Sequence, residues 1–458
     1  PENVVRLALT ATATPQVQDD ICSQLDLRNP IKLVGHPDRP NLVYRSFPRF
    51  DQSYQVLEII RRHRNEGGIV YAQTRREVER LAKTLAKAGI SCAPYHAGLS
   101  AQQRAKAQAD FVHERLDVIV ATIAFGMGIN RSNVRYVVHA NTPRSIEHYQ
   151  QESGRAGRDG EPAECVLLFS AADLQMHRIL AMRDENVSDI RRRAIDRQLS
   201  EIGRFAISPV CRHKLLVEHF GHPYPDNQQS ENFGSGCRAC DICLDETRAL
   251  PDDEAHLTAQ KIISAAFRTE GRFGAAYVAH VLIGHESQRI IENGHNQLKV
   301  FGILKDSSEK AVRGWIDQLI VQGSLSVTDG EYPMLRHTAE GLKVCRGEAR
   351  VRLGHPVAKP IAAKTRRKKA SAENVENPTL FENLRKLRLL LARRMGLPPY
   401  MIFADSVLMS LTTIKPEKLD ELCEIKGIGE HKRDRYGEVF LKVIAGSTPE
   451  EAAETFKE

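Results

Sequence analysis

Between residues 68 and 170, five short and nearly unbroken apolar runs recur: GIVYA (68–72), SCAPYH (91–96), DVIVAT (117–122), VRYVVHA (134–140) and ECVLLF (164–169). Polar, helix-patterned stretches separate them. A strand without polar alternation is buried on both faces, which a parallel sheet between two layers of helices provides. The pattern therefore predicts an α/β domain with a doubly wound parallel sheet. The helices carry their own punctuation. Thr74 and Glu77 stand in capping-box spacing at the start of one, Gly89 closes it, and Ser100 and Gln103 open the next. Val78, Leu81, Ala82 and Leu85 give the first of these a single apolar face.

Ligands of such sheets gather at the carboxyl ends of the strands. The segments expected there are QTRRE (73–77), HAGLS (96–100), TIAFGMGINRS (122–132) and NTPRSIEHYQQESGRAGRDG (141–160). The last sets Arg155 and Arg158 three apart among small residues, with Gln151 just upstream. Glycines let a ligand approach the backbone, and guanidinium forks match phosphate oxygens. An isolated R-x-x-R is ordinarily a solvated turn; four polar, glycine- or arginine-bearing loops on one edge favour phosphate binding.

Downstream, a helix is predicted over 188–207, leading to Cys211 and then to CRACDIC, with Cys237, Cys240 and Cys243. The chain has nine cysteines and no visible secretion signal, so clustered cysteines point to metal rather than disulfides. Four thiolates make a closed tetrahedral zinc site, hence a structural one. His213, His219 and His222 are weaker substitutes, and Cys22, Cys92, Cys165, Cys345 and Cys423 read as packing residues. Residues 255–350 show helices and then SLSVTDGEYPMLRHT, a hairpin expected to turn at Asp329-Gly330, which together suggest a winged helix. Its DNA-contact candidates are Arg268, Arg272, Lys299, Arg313 and Arg336. Residues 355–378 read as a linker that includes KTRRKK (364–369), and 379–445 as a final helical unit. The net charge of +7 suits a polyanionic partner without proving one, and no run of 18 uncharged apolar residues could span a membrane.

In this order the motifs resemble those of the RecQ family of superfamily 2 ATP-dependent DNA helicases. LALTATAT (7–14) resembles motif III, GIVYAQTRREVE motif IV, YHAGLS the short motif after it, VIVATIAFGMGINRSNVRYVVH motif V and YQQESGRAGRDG motif VI. The resemblance implies six segments. Residues 1–50 are the end of a first RecA-like domain with its linker, and 51–187 a second RecA-like domain. A zinc-binding helical subdomain follows at 188–248, a winged helix at 249–352, a basic linker at 353–377 and an all-α HRDC-like domain at 378–458. It also implies that Arg155 and Arg158 reach the γ-phosphate of ATP held with Mg²⁺, that Gln151 lines the nucleotide edge, and that Gly126, Gly128, Asn130 and Gly154 shape the cleft. Thr74, Arg75 and His96 would meet single-stranded DNA.

The implied activity is 3′–5′ unwinding of single-stranded, forked or duplex DNA in repair, recombination and replication. The implied protein is a monomer of a bacterial-type cytoplasm, nucleoid-associated, with a single-strand-binding protein as a further partner. One departure matters: the sequence contains neither the P-loop pattern G-x-x-x-x-G-K-[ST] nor the acidic box that accompanies it. The chain, which opens on Pro1, is therefore expected to begin after those elements and to lack ATP hydrolysis alone. The alternative is a non-catalytic zinc and winged-helix DNA-binding module. An RNA-directed helicase is disfavoured by that combination of domains.

Overall fold

The computed structural model describes residues 6–126, 130–182, 188–208, 210–224, 237–247, 250–328, 333–354 and 377–456. Gly128, the Asp329-Gly330 turn and the 355–376 stretch with KTRRKK lie outside them. Six strands, β1 (Leu42–Pro48), β2 (Gly67–Tyr71), β3 (Cys92–Tyr95), β4 (Val118–Ala121), β5 (Val134–His139) and β6 (Ala163–Phe169), form one sheet in the order β1-β6-β5-β2-β4-β3. Every pairing is parallel.

Alternate strand residues feed two cores. Ile69, Ile119, Val137 and Leu167 face Phe111, Tyr149 and Phe205. Val70, Val120, Val138 and Val166 face Val56, Ile59, Val78 and Leu81. Both predicted capping boxes are formed, at Thr74 and at Ser100. Gly68 lets two strands close up, because a Cβ there would fall 2.0 Å from the Tyr136 ring.

The structure differs from the sequence expectation at 42–48. That stretch, expected within residues 1–50 as the end of a first RecA-like domain with its linker, is the sheet's edge strand β1. Its outer side takes up the cysteine segment: Tyr44 N donates to Ala239 O and Asp241 N to Tyr44 O, both at 3.0 Å. Its charged members are neutralised from afar. Arg45 meets Glu246 at 2.7 Å and Glu164 at 3.2 Å.

Glu164 also holds Arg62 at 2.9 Å and His63 at 2.7 Å, and His63 reaches Glu66 at 2.7 Å. Burial alone would lower the pKa of His63, but hydrogen bonds to Glu164 and Glu66 raise it to about 9. A pKa raised on folding stabilises fully below the unfolded value near 6.5, and that stabilisation is lost as pH climbs through about 9. Thermal stability should therefore fall between pH 6.5 and 9 by up to about 3 kcal/mol. A His63→Gln variant should be weaker at pH 6 and nearly flat across that window. A wild-type profile no steeper than the variant's would count against the network.

The winged helix comprises helices Asp252–Arg268, Ala275–Ile283, Gln288–Glu292 and Glu309–Val321 with antiparallel strands β7 (Leu325–Val327) and β8 (Leu335–His337). Its helix Glu309–Val321 packs on helices Ala171–Met182 and Asp189–Ile207, which themselves lie against the sheet. The final unit, five helices from Pro378–Met395 to Pro449–Glu454, has its own core. It touches the sheet domain through buried Arg388, which meets Asp405 at 2.6 Å and Glu114 at 3.5 Å, while Arg385 donates to Asn65 O at 3.2 Å.

Candidate functional site

Ser145 caps the helix Ile146–Ser153, which ends at Gly154. A Cβ at Gly154 would sit 2.8 Å from Gln150 O. The chain then turns through Arg155–Gly160. Gly157 has φ +55°, and a Cβ there would lie 2.5 Å from the Asn41 amide nitrogen. Only glycine fits such a place without strain. Gly157 N donates to Val134 O at 2.8 Å, at the first residue of β5.

This placement corrects the expectation of one shared loop edge. Residues 73–77, 96–100 and 122 leave the carboxyl ends of β2, β3 and β4. The arginine turn instead returns to the amino ends of β5 and β6, because the helix before it runs back along the sheet.

From there Arg155 reaches inward, its Nη1 donating to Gly126 O. A Cβ on Gly126 would crowd Arg155 Nη2 at 3.2 Å, so the glycine leaves room for the guanidinium. Tyr71 fixes the same segment, its hydroxyl donating to Phe125 O at 2.9 Å. Arg155 Nε is buried without a hydrogen-bond partner. Arg158 and Gln151 are exposed, as is Asn130. Burial, then Arg155 and Arg39, depress the pKa of Arg158. Three guanidinium groups thus crowd one turn.

Arg39 was invisible to the sequence reading. Its Nη2 donates to Gly157 O at 2.7 Å and Ala156 O at 3.2 Å. Asn41 Nδ2 donates to Gly157 O and Glu161 O, both at 2.9 Å. Neighbouring Pro37 O accepts from Gln150 Nε2 at 3.3 Å, and Asp38 meets His213 at 2.6 Å. Residues 37–41 therefore strap the arginine turn to the cysteine helix. The only local sign was a polar cluster, PDRPN, which reads as a turn.

At the carboxyl edge Thr74 and Arg75 are exposed, and the Thr74 hydroxyl caps its helix. His96 is placed otherwise. It is buried, accepts from Gly98 N at 3.2 Å and bonds Glu79 at 2.8 Å, so it shapes its loop rather than facing solvent. Asn141, also unforeseen, organises this edge by accepting from Gln73 N at 3.2 Å and Gln52 Nε2 at 3.0 Å.

The sulfurs of Cys211, Cys237, Cys240 and Cys243 all lie within 4.8 Å of one another. Tetrahedral Zn–S bonds of about 2.3 Å imply sulfurs about 3.8 Å apart, and Cys237 and Cys240 are separated by 3.5 Å. Backbone N–H groups of Ala239 and Cys243 point at two of the sulfurs, at 3.3 and 3.4 Å. The donor set fits a divalent, thiophilic ion. The histidines are occupied elsewhere: His213 bonds Asp38 and Leu42 O, His219 bonds Glu147 at 2.7 Å, and His222 packs against His36. Beneath the cluster, buried Arg212 grips Asp241 with two bonds of 2.9 Å.

On the winged helix, Arg268, Arg272, Lys299 and Arg336 are exposed, Arg272 pairing with Glu270 at 3.2 Å. Arg313 departs from them. It is half-buried on the helix packed against the sheet domain, near Asp317. Burial raises the pKa of that carboxyl to about 7.

Four domain models match in chain order: the helicase conserved C-terminal domain over 51–160, RecQ zinc-binding over 171–244, the RQC domain over 253–362 and the HRDC domain over 377–444. The chain is 36% identical over 440 residues to the ATP-dependent DNA helicase RecQ of Bacillus subtilis, covering 96% of this chain and 70% of that one. It is 37% identical to the proteins of the same name from Haemophilus influenzae and Pasteurella multocida, covering 69% and 67% of them. With the arginine turn and the four-cysteine cluster at the matching places, the chain belongs to the RecQ helicase family.

Proposed function

We propose that these residues form the second motor domain and the DNA platform of an ATP-dependent 3′–5′ DNA helicase. The observation that carries the reading is the crowding of Arg39, Arg155 and Arg158 on one turn, with Arg155 Nε buried and unpaired. Such a site concentrates positive charge. Arg155 and Arg158 would meet the γ-phosphate, where cations stabilise charge spread over the transferring phosphoryl oxygens. ATP, held with Mg²⁺ at a P-loop, would supply that group, and this sequence does not contain a P-loop. Gln151 would line the nucleotide edge. Gly126 would link that edge to the DNA side, because its carbonyl holds Arg155 while its segment leaves β4.

The cysteine cluster would hold one structural zinc. Exposed Thr74 and Arg75 would contact the single strand, and the winged helix would grip duplex or forked DNA. A monomer acting in the cytoplasm beside a single-strand-binding protein fits this reading, and among the described residues no helix is long and apolar enough to cross a membrane. The absent P-loop favours a second reading for the chain taken alone, a DNA platform without turnover.

One titration tests both halves. The chain should bind forked DNA and leave it paired when Mg²⁺ and ATP are added. Log affinity should fall linearly with log salt, since the grip is on phosphates. Arg272→Ala or Lys299→Ala should each lower that slope by roughly one, equally across sequences. Residues 1–350 should bind far more tightly than residues 1–250. Equal affinity of the two would remove the winged helix, and turnover abolished by Arg155→Ala would overturn the expected lack of hydrolysis.

A further inference from the structure

In a free-standing winged helix, the helix before the hairpin enters the DNA groove. Here that helix, Glu309–Val321, is committed elsewhere. Ile320 and Val321 pack against the sheet-domain core, Ala171 N donates to Asp317 at 3.4 Å, and Lys310 sits 3.8 Å from the Phe50 ring centre. The face left open carries a different feature. Phe273, just before the N-cap Gly274, and Tyr277, in the first turn of the helix Ala275–Ile283, stack with ring centres 4.0 Å apart and planes at 15°. His295 stands edge-on to both, at 5.0 and 5.6 Å. The guanidinium of exposed Arg289 lies 5.5 and 5.6 Å from the two rings.

Both rings are only half-buried, and Phe273 lies outside the domain core. The stack is anchored to the wing, Leu335 N donating to Phe273 O at 2.8 Å. Arg336 joins from the next strand position. Gly271, at φ +63°, lies so close that a Cβ would sit 2.9 Å from Arg336 Cγ. Half-open aromatic rings edged by mobile cations are the equipment with which proteins hold unpaired bases, because every base offers a π-face and brings a phosphate with it.

We propose that the Phe273–Tyr277 stack is a binding site for an unpaired nucleobase of single-stranded DNA, with Arg289 and Arg336 on the flanking phosphates. This deepens the proposed function and rests on DNA as the partner of the winged helix. The contact between the Tyr277 hydroxyl and His295 Nδ1, at 2.8 Å, also gives the site direction. With Tyr277 donating, His295 keeps its proton on Nε2 and can offer it to a base carbonyl or phosphate oxygen. Burial lowers the pKa of His295, in keeping with that neutral ring. An acidic peptide would use the cations but not the flat stack.

The test uses the whole chain and three probes: a thymine-rich single strand, the same strand with abasic residues, and a duplex of equal length. Abasic substitution should weaken binding roughly tenfold, in line with the worth of base–aromatic stacking. Phe273→Ala and Tyr277→Ala should each cost the normal strand a similar factor, add little to the abasic defect and change duplex affinity less than about twofold. Tyr277→Phe should retain the stacking, and a 2-aminopurine in the strand should be quenched by wild type but not by Phe273→Ala. If Tyr277→Ala does not fold, the abasic probe and Phe273→Ala decide alone. An abasic strand bound as tightly as the normal one overturns the site while duplex binding preserves the wider reading; no binding to any probe overturns both. Displacement of both strands alike by an acidic peptide would mark a protein-docking face and refute the stacking site.

Discussion

In a Cys240→Ser variant, bound zinc should fall from about one equivalent per chain to background, and the structure around Cys211 and residues 237–247 should melt. The reason lies in charge. Four sulfurs within 4.8 Å cannot all ionise without a cation between them. Without one, hydrogen bonds from Cys237 and Cys240 hold the pKa of Cys211 far down, while its hydrogen bond with Cys211 pushes Cys240 up to about 12. A divalent ion resolves that conflict, and in zinc-binding peptides the gain is on the order of 10 kcal/mol, much of it folding energy. Metal analysis with thermal unfolding followed by circular dichroism checks the expectation. A chelated preparation that melts with the wild type would refute a structural role.

The second large effect is expected at Arg212. Its side chain is 2% exposed and that of Asp241 is fully buried, and the guanidinium also donates to Phe205 O. Arg212→Ala would leave the Asp241 carboxylate buried and unpaired, which costs about 3–5 kcal/mol. Replacing both partners, Arg212→Met with Asp241→Leu, should recover most of the loss, because a well-packed apolar pair needs no desolvation of charge. Denaturant unfolding of the two variants beside wild type separates the cases. A single variant within about 1 kcal/mol of wild type would show that water reaches the pair.

What the sequence revealed and what it hid follow one physical division. β2, β4, β5 and β6 were legible because continuous apolar runs have one comfortable home, and the capping boxes at Thr74 and Ser100 were legible because both partners lie within one turn. β1 was obscured by Arg45 and Ser46. The burial of Arg45 makes sense only with Glu164 and Glu246, more than 100 residues away in sequence. The four cysteines announced themselves through spacing and valence. Arg39 and Asn41 did not, because their targets are backbone carbonyls of a distant turn. Arg313 shows the reverse limit: composition marks a cation but does not show that its helix packs against another domain. The burial of His96 and its bond to Glu79 were equally hidden, because Glu79 lies 17 residues away on another element.

The strap at residues 37–41 has a mechanical consequence. It ties the arginine turn, through Arg39 and Asn41, to the sheet, and through Asp38 to the helix that begins at Cys211. These hydrogen bonds couple the three parts to one another. Because His36 packs on His222, any hinge between these coupled parts and the residues before them has to bend upstream of His36, and residues 28–35 are exposed throughout. A swing there would carry Arg155, Arg158 and the thiolate cluster together, as a door carries its lock and hinge plate. Such a swing would leave the internal aim of the two arginines unchanged.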